Sequence, residues 1–160
     1  METVKQYKYH LLTFGCQMNK NDSERLSAVL EHMGLTAVAR PEEADVILMN
    51  SCSVRESAEA RVYSQAGNFL KLKKKKPDLI IGVTGCMPGR DRDGVMRRRL
   101  KDVDLFFPIK DMIQLPARLA WNSRRSLPVL CAKRRHSHSL RRAQMFSTAI
   151  RNDSLPGLGN

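Results

Sequence analysis

The 160-residue chain is predicted to fold as an α/β protein: a three-layer, doubly wound parallel sheet of about five strands with helices on both faces, followed by a disordered basic tail. Three observations predict it. Apolar runs without a polar break, Val46-Ile47-Leu48-Met49 and Leu79-Ile80-Ile81, are what strands covered on both faces require. Three strand candidates end alike, at Phe14-Gly15-Cys16, Asn50-Ser51-Cys52 and Thr84-Gly85-Cys86. Their cysteines are 36 and 34 residues apart, the length of one strand-helix-strand unit.

Each element has a local reason. Lys8–Phe14 is an apolar, aromatic run and reads as the first strand. Asn21-Asp22-Ser23-Glu24 supplies a helix start with Asn21 as N-cap; Leu26, Val29, Leu30 and Met33 follow helical spacing, and Gly34 suits the stop. A short extended piece over 35–38 precedes a turn at Pro41. Residues 45–49 form the next strand, and Ser53-Val54-Arg55-Glu56 is a capping-box pattern opening a long helix. That helix presents Ala58, Val62, Ala66, Phe69 and Leu70 on one face, and the lysines of 73–76 complement its dipole. Residues 78–83 are a buried strand, 89–100 an arginine-rich helix, 103–107 a fifth short strand. A last helix opens at Asp111-Met112-Ile113-Gln114, accommodates Pro116 and runs to about Trp121.

The net charge of +12 is unevenly placed. Residues 1–122 carry a net +5 and residues 123–160 a net +7, so the tail rather than the domain makes the chain basic. The tail, with Arg124-Arg125, Lys133-Arg134-Arg135-His136 and Arg141-Arg142, shows no sustained period of 2 or 3.6 and reads as disordered. Residues 1–10 contain no apolar signal segment, and no run approaches the roughly 18 apolar residues of a membrane span. A soluble, cytoplasmic monomer with reduced thiols is the expected state.

If the units wind in the usual right-handed way, the three thiols emerge together at the carboxyl edge of the sheet, where open α/β sheets bind ligands. Cys52 stands before a helix start, where amides favour a thiolate, and a glycine before Cys16 and Cys86 permits close backbone approach to a bulky inorganic group. Three thiolates suit an iron–sulfur cluster or a zinc ion with one coordination position left open; ligand type does not separate the two. Buried cysteines also serve as small apolar side chains, the plain alternative for any one of them alone.

The motifs themselves carry a resemblance. Phe14-Gly15-Cys16-Gln17-Met18-Asn19 with Asn21-Asp22-Ser23-Glu24-Arg25, then Asn50-Ser51-Cys52-Ser53-Val54-Arg55-Glu56, then Pro77 to Met87 ending in Thr84-Gly85-Cys86-Met87, resemble the three amino-terminal motifs of the methylthiotransferases of the radical-SAM superfamily. Gly-Cys-Gln-Met-Asn and Cys-Ser-Val-Arg-Glu are most similar to the branch acting on tRNA. The branches acting on threonylcarbamoyl adenosine or on a ribosomal protein usually differ there. The likeness covers about residues 7–120. It implies an auxiliary 4Fe-4S cluster on Cys16, Cys52 and Cys86, whose open iron presents the sulfur that becomes a methylthio group at C2 of N6-isopentenyladenosine beside the tRNA anticodon. It further implies a separate barrel whose Cys-x-x-x-Cys-x-x-Cys loop holds a second 4Fe-4S cluster and cleaves S-adenosylmethionine, and a small RNA-binding domain.

No such loop follows Trp121 in these 160 residues, where Cys131 is the one remaining cysteine. The abrupt change of composition near residues 121–124 gives the expectation of a cluster-binding domain over 1–122 and a tail over 123–160 that is truncated or out of frame. Gly89-Arg90-Asp91-Arg92 also departs mildly from the pattern. Gln17 and Asn19, directly after a proposed ligand, are either amides that hydrogen-bond cluster sulfur or local turn and cap residues. The lysines of 73–76 and the arginines of 97–99 read as solvated helix ends before they read as phosphate contacts. His10 is expected in the core, and His32, His136 and His138 lack ligand spacing with the cysteines. A non-catalytic metal-binding module and a basic RNA-binding protein are the rival readings.

Overall fold

The structure, a computed structural model, describes residues 6–52 and 56–122. The tail with Cys131, His136 and His138, and residues 53–55 of the expected capping box, lie outside the described residues. Five strands form one all-parallel sheet in the order β2-β1-β3-β4-β5, with β1 Lys8–Phe14, β2 Thr36–Ala37, β3 Val46–Ser51, β4 Ile80–Gly85 and β5 Leu105–Phe106. Every residue of β3 and β4 is buried, which is why their sequences carry apolar runs rather than alternation.

Helices α1 Gln17–His32, α2 Glu56–Lys75, α3 Cys86–Arg90, α4 Val95–Arg99 and α5 Leu115–Asn122 complete the layers. Alternation of side chains sorts the two faces. Ile47, Met49, Ile81 and Val83 pack with Val62, Ala66 and Phe69 of α2 and with Met87, Leu100 and Val103. The opposite face, carrying Leu48 and Asn50, meets α1, which also packs against α5. The chain leaves β1 outward to β2, then returns to build β3, β4 and β5 on its other side. The order therefore reverses between β1 and β3, and the crevice of an open α/β sheet lies outside the carboxyl ends of strands at that point. No described helix is long and apolar enough to cross a membrane.

Three expectations are corrected. α1 begins at Gln17, not after Asn21: Cys16 is the N-cap, in extended conformation, and Asn19 at the third helical position accepts the Cys16 N–H. The single helix over 89–100 is two short helices, α3 and α4. Gly94 at φ 67 turns the chain between them, and the Asp91 carboxylate accepts the amides of Met96 (3.0 Å) and Arg97 (2.8 Å), capping α4. His10 is half-buried rather than in the core, its Nδ1 2.9 Å from the Val38 carbonyl oxygen.

The basic runs are partly consumed by the fold. Lys73 pairs with Asp104, whose carboxylate also accepts the Ile81 amide; Lys76 pairs with Asp45 at 3.2 Å and donates to the Ala44 carbonyl. Both lysines thus brace the amino ends of strands, at the sheet edge opposite the cysteines. Arg97 donates to the carbonyls of Leu100 and Val103 and lies over Phe106, while Arg99 stacks on Tyr63 at 4.5 Å. By contrast, Gly67 in α2 is exposed, with nothing near a methyl group placed on it. Gly67→Ala is expected to stabilise the fold by about 0.5–1 kcal/mol, read as a raised thermal midpoint.

Candidate metal centre

Three adjacent strands end in register. Phe14 of β1 is paired with Ser51 of β3, and Ser51 with Gly85 of β4. Cys16, Cys52 and Cys86 follow these positions by two, one and one residues, so all three lie at the carboxyl edge. Cys16 caps α1, Cys52 leaves β3, and Cys86 is the first residue of α3. A hydrogen bond from the Cys52 amide to the Phe14 carbonyl (2.8 Å) extends the β1–β3 pairing into the loops.

The glycines beside the cysteines are required by packing within the protein. A methyl group on Gly15 would stand 2.8 Å from Cys52 Cβ and collide with the Asn19 side-chain oxygen. One on Gly85, at φ 106, would stand 2.5 Å from Asn50 Oδ1 and strike the Ser51 carbonyl. Both glycines are therefore small so that neighbouring strand ends can close on each other.

The thiols differ in surroundings. Cys16 is half-buried, Cys52 buried and Cys86 exposed. Backbone amides of Asn19, then of Met18, hold the Cys16 thiol below its usual range, as expected for sulfur at a helix start, and Cys52 adds a smaller contribution in the same direction. Partial desolvation pushes the Cys86 thiol up, followed by the charges of Cys52, Asp22 and Cys16. The three sulfurs thus share one electrostatic neighbourhood, which Asp22 of α1 enters as well. They do not converge on one point: among the described residues, no three His, Cys, Asp or Glu side chains are grouped closely enough to hold a metal ion. The Cys16 sulfur instead faces its own helix cap, 3.4 Å from Asn19 Oδ1.

Asn19 and Gln17 separate in role. Asn19 is 1% exposed and caps Cys16, whereas Gln17 is exposed and its amide reaches Asn21 Oδ1 at 3.4 Å. Asn19 also lies against the Cys16 sulfur, whereas Gln17 lies on the helix surface. Sequence reasoning missed Asn50, Ser23 and Asp22. Asn50 is fully buried, and its amide nitrogen donates to the Asn19 carbonyl (2.8 Å) and to Ser23 Oγ (2.9 Å). The available signal was an asparagine directly after the apolar run Val46–Met49 and two residues before a cysteine. Surface grooves of about 490 Å³ beside α1 and about 670 Å³ beside β5 contain none of the cysteines.

Chemically, the edge offers three thiols, with the Asp22 carboxylate near Cys86. That donor set fits a thiophilic centre, an iron–sulfur cluster or zinc, held by fewer than four protein ligands.

The family model described as "Uncharacterized protein family UPF0004" matches residues 8–108. The chain is similar to the tRNA-2-methylthio-N(6)-dimethylallyladenosine synthase of Dichelobacter nodosus, 48% identical over 117 residues, which is 72% of this chain and 25% of the relative. The synthase of the same name from Caldicellulosiruptor saccharolyticus is 55% identical over 84 residues, 52% of this chain and 18% of the relative. That from Neisseria meningitidis serogroup A is 45% identical over 111 residues, 68% of this chain and 25% of the relative. The chain thus spans about a quarter or less of the length of these relatives.

Proposed function

Since the chain belongs to the UPF0004 family, whose model matches most of its described residues, we propose that residues 1–122 are the auxiliary cluster domain of a tRNA methylthiotransferase. Cys16, Cys52 and Cys86 would hold a 4Fe-4S cluster through three thiolates, leaving one iron open. The single observation that carries this reading is the register of Phe14, Ser51 and Gly85, which sets three thiol-bearing loops side by side at the crevice. The bound group supplies sulfur chemistry; the chain supplies the thiolates, a helix start that favours the thiolate at Cys16, and a rigid edge.

In this reading the reaction partner is cytoplasmic tRNA, and the product carries a methylthio group at C2 of N6-isopentenyladenosine beside the anticodon. S-adenosylmethionine and the second cluster belong to a catalytic barrel outside these 160 residues. On this reading the 160 residues alone bind a cluster without turning over, and the three proposed ligands all lie within residues 1–122. Anaerobic reconstitution with iron and sulfide tests the proposal. A brown chain with roughly four irons and no methylthiolated tRNA upholds it. A colourless protein that takes zinc but no iron contradicts the cluster, and methylthiolated tRNA from this polypeptide alone contradicts the division of labour.

A further inference from the structure

We propose that Asn50 is a positioning residue that locks the Cys16 and Cys86 loops onto the strand carrying Cys52; the proposal deepens the cluster reading and rests on it. The side chain of Asn50 is 0% exposed and lies two residues before Cys52 in a strand whose other members are apolar or serine. On one flank its amide nitrogen donates to the Asn19 carbonyl at 2.8 Å and to Ser23 Oγ at 2.9 Å, and its oxygen accepts the Asn19 amide at 3.3 Å. Asn19 in turn accepts the Cys16 N–H at 3.3 Å, so two linked amides join β3 to the first turn of α1. On the other flank Asn50 Oδ1 lies against the space that a side chain on Gly85 would fill, immediately before Cys86.

One buried amide therefore touches the structure behind each of the two neighbouring thiols. Its orientation is fixed. Both N–H groups are used, and one of them faces the Asn19 carbonyl, which can only accept. Aspartate, with the same shape, would set a carboxylate oxygen against that carbonyl in a dry site, and a half-satisfied buried network is costly. The network extends further, since Ser23 Oγ also bonds Thr13 Oγ1 at 2.7 Å. Ser23 therefore belongs to the network that fixes Asn50, whereas Asp104 lies at the amino edge of the sheet, where its carboxylate pairs with Lys73 and accepts the Ile81 amide.

That difference supplies the control. In the full 160-residue chain carrying Cys131→Ser, wild type, Asn50→Asp, Asn50→Ala and Asp104→Ala are compared for thermal midpoint, for iron retained against a chelator after anaerobic reconstitution, and for the electron paramagnetic resonance signal of the reduced chain. The iron-free proteins are compared for bridging of their thiols by phenylarsine oxide. Both Asn50 variants are expected to retain iron about 10–100-fold less well, as removal of outer partners of metal ligands commonly does. They should also show an altered resonance signal and lose arsenical bridging. Asp104→Ala should lower the thermal midpoint while leaving iron, signal and bridging within about twofold of wild type. Wild-type-like iron retention and signal in both Asn50 variants would overturn the proposal. So would a loss in Asp104→Ala that tracks stability to the same extent. Should wild type itself take no iron, the cluster reading fails, and the arsenical arm alone then decides the positioning: bridging lost in Asn50→Asp upholds it, and bridging unchanged overturns it.

Discussion

Alanine at Cys16, Cys52 or Cys86 is expected to abolish cluster retention in each case, while the fold survives. Two thiolates leave two open irons exposed to water and chelator, whereas the proposed site tolerates one. The structural cost is modest and differs by position. Cys86 is exposed, so its replacement should leave the thermal midpoint unchanged. Cys16→Ala keeps the backbone amide that Asn19 accepts and should cost about 0.5 kcal/mol or less. Cys52→Ala removes a buried sulfur that is 5% exposed, at a cost of about 1–2 kcal/mol. Cys131→Ser, outside the proposed site, should leave iron and sulfide per chain at the wild-type value. Iron and acid-labile sulfide assays on the four variants, read beside their melting curves, separate loss of ligand from loss of fold. Retention of the full complement by any of the three alanine variants would remove that cysteine from the site.

Gly85→Ala is expected to be the most damaging substitution outside the cysteines. Gly85 adopts φ 106 and ψ −153, a region that only glycine occupies freely. The obstacle to a methyl group there is backbone: the Ser51 carbonyl, and the Ser51 nitrogen at 2.8 Å. Backbone of a central strand cannot turn aside as a side chain can, so β3 and β4 would have to part at the carboxyl edge. A loss of about 3 kcal/mol or more follows from strain and overpacking together. The same substitution should weaken iron retention, because Gly85 precedes Cys86 and borders Asn50. Denaturant unfolding of the variant against wild type and Gly67→Ala measures this, and a Gly85→Ala midpoint equal to wild type would contradict the packing described.

The sheet was legible in the sequence because doubly covered parallel strands carry their burial as unbroken apolar runs, and crossover length fixes the spacing of their ends. Lys8–Phe14 matched to the residue. The start of α1 was not legible, because the apolar side chain of its first turn, Met18, faces solvent and its cap is a cysteine, which no capping preference marks. The break between α3 and α4 was hidden because Asp91 and Gly94 sit within an arginine-rich stretch whose helical propensity is high. In the site, the three cysteines announced themselves through repetition. Asn50, Ser23 and Asp22 did not, since their roles depend on α1 folding across β3, a tertiary contact between residues 27 and 31 positions apart. The close packing of Gly85 against the neighbouring strand was likewise invisible, although the glycine itself stood in the motif.

Mössbauer spectroscopy of the wild-type chain reconstituted anaerobically with iron-57 tests the central claim most directly. A cluster held by Cys16, Cys52 and Cys86 should give one iron whose signal differs from its three thiolate-bound neighbours and shifts when a small thiol or sulfide is added. Four equivalent irons insensitive to added thiol, or no bound iron at all, would contradict a three-cysteine site with an open position.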